Sequence, residues 1–135
     1  MPNLSAASRG RLAGAHPLLQ QLFAAVAEEA AILVLDSQRG RVAQERAFAL
    51  GNSHAHFGQS AHNWSPAIAL DVVPSPLDWS DAARFTNLAA IVKARAEALR
   101  IPIAWGGDWR SFKDLPHYEL SPWRSFAAEA RPFLG

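Results

Sequence analysis

The chain has 135 residues, half of them hydrophobic and 19% charged, with a formal net charge of +1, five histidines and no cysteine. That length suits a single domain spanning 1–135. The lack of cysteine excludes disulfides, thiolate metal sites and cysteine nucleophiles, so any metal must be held by His and carboxylate. The scattered, nearly balanced charge is not the footprint of a nucleic-acid binder, and Gln20, Gln21, Glu28 and Glu29 interrupt the apolar stretch at 18–35 too often for a membrane span. His16 and Pro17 spoil a signal-peptide core. The expectation is a monomer made in the cytoplasm, with neither nucleic acid nor membrane as partner.

Leu18, Leu19, Leu22, Phe23, Val26 and Ala30 recur at three-and-four spacing after His16-Pro17, which predicts an amphipathic helix over 17–30 with His16 at its start. The run AILVL at 31–35 predicts a buried strand, and the alanine-rich segment 41–50, closed by Gly51, predicts a second helix. Residues 51–66 (GNSHAHFGQSAHNWSP) have no period and read as a loop. In the strand expected over 67–73, Ile68, Leu70 and Val72 share one face while Ala67, Ala69 and Asp71 share the other. Ser80 is the expected N-cap of a long helix carrying Phe85, Leu88, Val92, Ala96 and Leu99, followed by a short strand at 101–104. A second irregular loop, WGGDWRSFKDLP at 105–116, leads into the alternating HYEL strand at 117–120, and Ser121-Pro122 starts a last short helix that ends before Pro132. The expected fold class is α+β: a small antiparallel or mixed sheet covered by helices, with the chemistry at the sheet edge.

The two loops hold most of the reactive side chains: His54, His56 and His62 with Asp71 after the first, and Asp108, Asp114 and His117 in or after the second. Two histidines and one carboxylate form the ligand set of a catalytic zinc site that keeps a position open. Spacing alone does not choose the ligands, because a strand histidine is more often a hydrogen-bonded structural residue.

The segments Ser60-Ala61-His62-Asn63 through Asp71, Trp105-Gly106-Gly107-Asp108-Trp109, and Phe112-Lys113-Asp114-Leu115-Pro116-His117-Tyr118 resemble the zinc peptidases of the M15 family. Within it they are most similar to bacteriophage endolysins that act as L-alanyl-D-glutamate peptidases, relatives of D-Ala-D-Ala carboxypeptidases and dipeptidases. The resemblance implies one Zn2+ held by His62, Asp71 and His117, with Asp114 as general base. Arg39 and Gln44 stand at the spacing of the family's upstream arginine and glutamine, although Gln38 replaces the preceding aromatic residue. His62 and Asp71 are nine positions apart, where the commonest family pattern has seven.

Pro116 forbids a helix through Asp114 to His117, so the base and ligand are expected on a turn entering a strand. Arg39, with a permanent charge and forked donors, is the candidate for stabilising an oxyanion or holding a substrate carboxylate. Ser60 is expected to support His62, Asp108 to brace its loop through backbone hydrogen bonds, and Glu119, on the face of His117, to orient a ligand or touch substrate. Asn63 and Gln44 join this supporting or substrate-binding set. Trp105 and Trp109 are candidates for either the groove or the core; Trp64 is the expected exposed aromatic, and Trp79 and Trp123 are expected to pack. His16, His54 and His56 are expected to be dispensable for metal.

The implied function is zinc-dependent hydrolysis of a peptidoglycan stem peptide during cell wall lysis, in the periplasm after holin-type release and without a separate wall-binding module. The alternatives are a D-Ala-D-Ala carboxypeptidase or dipeptidase on the same scaffold, and a non-catalytic zinc-stabilised wall-binding domain.

Overall fold

A computed structural model describes residues 4–135. Ser5 caps a first helix, α1 (Ala6–Leu12), accepting the N–H of Ser8. The next helix, α2 (Pro17–Ala27), starts where Pro17 loses nothing by lacking an N–H, and His16 Nδ1 caps it by accepting the N–H of Leu18 at 3.1 Å. Then follow β1 (Ile32–Asp36), α3 (Arg41–Ala49), a 3-10 turn at Ala61–Asn63, β2 (Trp64–Ser65) and β3 (Ala69–Pro74). The chain continues through α4 (Ala82–Leu99), β4 (Ile103–Trp105), a 3-10 turn at Gly106–Asp108, β5 (His117–Leu120), α5 (Trp123–Ala127) and β6 (Arg131–Pro132). Gly51, just past α3, takes a φ of 78°, the left-handed conformation that ends a helix cheaply only at glycine.

Strands β1, β3, β5 and β4 form one antiparallel sheet in that order, and β2 pairs with β6 in a separate ribbon. The α+β architecture with a small antiparallel sheet is as expected from the sequence. Helices α2 and α4 pack on one another, α1 on β1, and α4 on β3 and β4. Strand alternation then divides the residues. Leu70 and Val72 of β3, with Tyr118 and Leu120 of β5, are buried, and the Tyr118 ring meets Phe23 of α2 edge-on at 5.4 Å. Burying side chains of this size contributes about 1.5–3 kcal/mol each. The opposite face of the same two strands presents Ala69, Asp71, His117 and Glu119.

Some expectations change. Helix α1 and the β2–β6 ribbon were not foreseen. Ser80 does not cap α4: its N–H and hydroxyl both donate to Asp78 Oδ1, at 3.0 and 2.6 Å, so the turn consumes it and the helix starts after Asp81. Trp64 is half-buried against the core, 6.4 Å from the Trp123 ring, and is not the exposed aromatic. Trp79, expected to pack, is 60% exposed instead and stacks on Phe85 at 5.5 Å.

Candidate metal centre

The sheet register builds the centre. Asp71 of β3 lies directly opposite His117 of β5, and Ala69 lies opposite Glu119. Residues paired in this way share a face and approach to within about 5.5 Å at Cβ. On the other side of β3, Asp71 is paired with Asp36 across an irregularity in β1. Two carboxylates facing one another repel, and Arg39 lies between them. Its Nη2 is 2.9 Å from Asp36 Oδ2 and 3.5 Å from Asp71 Oδ2. Arg39 Nη1 also donates to Gln44 Oε1 at 3.2 Å.

His62 reaches the group from the 3-10 turn. Ser60 accepts the N–H of His62 at 3.2 Å and Asn63 Oδ1 accepts the N–H of Ser60 at 3.1 Å, a reciprocal cap that fixes the turn. Buried Asn63 donates through Nδ2 to the Arg39 carbonyl and to Gln44 Oε1, both at 3.1 Å. Gln44, fully buried on α3, donates to Ser53 Oγ at 3.0 Å and to the Ala55 carbonyl at 2.7 Å. Ser60, Asn63 and Gln44 thus tie the first loop to α3 and to the Arg39 backbone. The nine-residue His62 to Asp71 spacing accommodates β2 and the bridge of Ala67 to Ala15.

The ring nitrogens are sorted by their outer partners. His62 Nδ1 donates to the Ser37 carbonyl at 2.8 Å, which leaves Nε2 facing Asp71 Oδ1 at 3.2 Å. His117 Nε2 donates to Glu119 Oε1 at 2.7 Å, which leaves Nδ1 at 3.5 Å from the same Asp71 oxygen. One donor atom from each of His62, Asp71 and His117 therefore lies within 4.8 Å of the others. Burial by itself raises the Asp71 carboxyl pKa, but the His62 charge and hydrogen bonds from both histidines outweigh it and hold that pKa well below the usual range. Burial alone would lower the His117 pKa; hydrogen bonds and charge from Asp71 and Glu119 reverse this and raise it to about 9.

Asp114 lines the same cleft, half-buried, on the turn that Pro116 closes; the His117 N–H donates to the Asp114 carbonyl at 3.2 Å. Burial and the Asp71 charge raise the Asp114 pKa, against the opposing influence of His117, His62 and Arg39. The position of Asp114 depends on Gly106. A Cβ there would run into the Asp114 carbonyl oxygen and come within 3.0 Å of Asp114 Cβ and 3.1 Å of His117 Cβ. A Cβ on Gly107 would strike the Trp105 ring. Both glycines of the Trp-Gly-Gly-Asp segment are thus required by close approach.

The remaining sequence candidates separate. Trp109 lines the cleft, with its ring 5.0 Å from His117, whereas Trp105 is buried and its Nε1 donates to the Leu115 carbonyl at 2.7 Å. Asp108 forms an ion pair with Lys93 of α4 at 2.6 Å, and among the described residues its carboxylate makes none of the expected backbone hydrogen bonds. Trp123 packs against the core, as expected, and also lines the cleft. His54 lines it and stacks on Phe112 at 3.7 Å, joining the two loops, while exposed His56 pairs with Glu45 at 2.9 Å. Sequence reasoning missed Asp36, Phe112, Trp123 and the Ser37 carbonyl; only Asp36, three residues before Arg39, left a spacing signal. The cleft measures about 440 Å3.

The M15 peptidase family described as D-alanyl-D-alanine carboxypeptidase matches residues 53–120, which include His62, Asp71, Asp114 and His117. The chain belongs to the M15 peptidase family. It is also similar to the crystal structure of the Serratia marcescens L-Ala D-Glu endopeptidase ChiX, with a TM-score of 0.77 and 27% identity, over 90% of this chain and 91% of that one. The M15 peptidases are metal-dependent, and His62, Asp71 and His117 form a group able to hold an ion.

Proposed function

We propose that this chain is a zinc-dependent endopeptidase that hydrolyses the L-alanyl-D-glutamate bond of peptidoglycan stem peptides, with an endolysin-type role in cell wall lysis. The observation that carries this reading is the triangle of His62 Nε2, the Asp71 carboxylate and His117 Nδ1, built into a fold that overlays ChiX along nearly its whole length. The donor set fits zinc. It has two imidazoles and one carboxylate, and each ring is fixed by an outer hydrogen bond that leaves the inner nitrogen free to ligate. A divalent ion at this centre supplies Lewis acidity, polarising a peptide carbonyl and lowering the pKa of a water.

The protein's own groups do the rest. Asp114 has the raised pKa suited to a proton acceptor, and its carboxylate takes the proton of the attacking water and returns it to the departing amine. Arg39, held by Asp36 and Gln44, offers permanent positive charge at the cleft wall for the developing oxyanion or for a substrate carboxylate. Glu119 orients His117; Ser60, Asn63 and Gln44 fix the first loop; Trp109 forms part of the peptide-binding wall.

The family description favours a second reading, a D-alanyl-D-alanine carboxypeptidase on the same centre. Digestion of purified sacculi followed by mass spectrometry separates the two. Loss of whole stem peptides beyond alanine supports the endopeptidase. Release of free D-alanine with the stems still attached to the glycan supports the carboxypeptidase.

A further inference from the structure

Beside the cleft lies a second, larger hollow of about 730 Å3 along the outer side of α3. Arg39, Ala47 and Asn52 line both, so the two share a wall. The second hollow is rimmed by Val42, Leu50 and Leu134, which are 77%, 68% and 76% exposed. Large apolar side chains so exposed around one depression mark a binding surface. The acidic residue in its lining, Asp36, is neutralised by Arg39 at 2.9 Å. Arg46 has no carboxylate within ion-pair distance among the described residues, and Arg41 lies over the Phe57 ring at 4.6 Å with no carboxylate in ion-pair contact. Arg46 is thus left without a closely paired anion, and Arg41 has only the longer-range charge of Glu45, beside the apolar rim of a hollow that adjoins the catalytic cleft at Arg39, Ala47 and Asn52.

We propose that this hollow is a substrate subsite that takes the carboxylate-bearing arm of the peptide beyond the bond held over His62, Asp71 and His117. The inference rests on the endopeptidase reading and adds where the acidic remainder of the substrate goes. Two features select this occupant. The two depressions adjoin at Arg39, Ala47 and Asn52, close enough for one extended peptide to lie across both, and Arg41 and Arg46 complement free carboxylates while Val42 and Leu50 meet the methylene stems between them. The endopeptidase thereby favours extended anionic stems over a bare dipeptide.

The test compares kcat/KM of the metal-loaded full chain on a blocked Ala–Glu dipeptide and on a stem fragment extended beyond Glu by a residue with a further free carboxylate. Wild type should prefer the extended fragment. The Arg41→Ala/Arg46→Ala double variant should lower that preference ~10-fold, mainly through KM, and Arg46→Glu should lower it further. Arg46→Lys, which keeps the charge, should stay within ~3-fold of wild type. Both arginines are exposed helix residues, and circular dichroism confirms that each variant is folded. A wild type that cuts the dipeptide without preferring the extended fragment, or a double variant that keeps the preference, overturns the subsite alone. A wild type that cuts neither overturns the endopeptidase reading and the subsite with it.

Discussion

Glu119 Oε1, 2.7 Å from His117 Nε2, and Asp71 Oδ1, 3.5 Å from Nδ1, favour a proton on each ring nitrogen of His117 when no ion is bound. Its pKa of about 9 lies two units above pH 7, so loading an ion onto Nδ1 at that pH must first displace a proton. At 1.36 kcal/mol per unit, the displacement costs about 3 kcal/mol, or roughly 100-fold in apparent affinity. Metal affinity should therefore rise about tenfold per pH unit from 7 towards 9 and level off above.

Chelator-competition titrations across this range, with calorimetry in two buffers of different ionisation heat, measure both the slope and the proton released. Glu119→Gln keeps an acceptor for Nε2 but removes one of the two charges that raise the pKa, so its plateau should begin at lower pH. The metal-free fold should show the opposite trend. A raised folded-state pKa gives stability that is complete below about 6.5, the ordinary histidine value, and is lost as pH climbs through about 9. The metal-free melting temperature should fall over that window. An affinity that is flat from pH 7 to 9, with no buffer-dependent heat, refutes the raised His117 pKa.

Gly106→Ala places a methyl group into the Asp114 turn and should reduce activity at least ~100-fold while far-UV circular dichroism stays near wild type. Asn63→Ala leaves the N–H groups of Gly58 and Ser60 and the Gln44 side chain short of partners; chemical denaturation should show a loss of about 1–3 kcal/mol. Arg39→Lys cannot bridge Asp36, Gln44 and Asp71 together and should lower kcat by ~10²-fold with metal content unchanged, as checked by elemental analysis. Asp114→Asn should likewise retain its metal and lose ~10²- to 10⁴-fold in kcat.

The parts of the fold that were legible in the sequence are those whose signal is local. The alternation of His117 to Leu120 gave a strand with its observed bounds, and the small residues beside Asp71 anticipated the open face where Ala69 lies opposite Glu119. Pro116 likewise marked the turn that carries Asp114. What escaped is non-local or too short to show a period. The β2–β6 ribbon has two residues per strand, drawn from segments far apart in the chain, and α1 is a seven-residue helix containing two arginines and a glycine. Tryptophan exposure was partly illegible because it depends on what packs against each ring: Trp64, within β2, is half-buried against the core and Trp79 stands out over Phe85, whereas Trp123 packs as expected and also lines the cleft. The role of Asp108 depended on Lys93, a partner on another element. The hydrogen bond from His62 to the Ser37 carbonyl involves a main-chain atom, which no side-chain pattern reveals.

The most direct test of the metal centre is an anomalous difference map recorded at the zinc absorption edge from crystals of the zinc-loaded protein. One dominant peak is expected, bonded to His62 Nε2, the Asp71 carboxylate and His117 Nδ1 at about 2.0–2.2 Å from each, with Glu119 still on His117 Nε2. A peak held by His54 or His56, or one between His117 Nε2 and Glu119, would contradict this assignment.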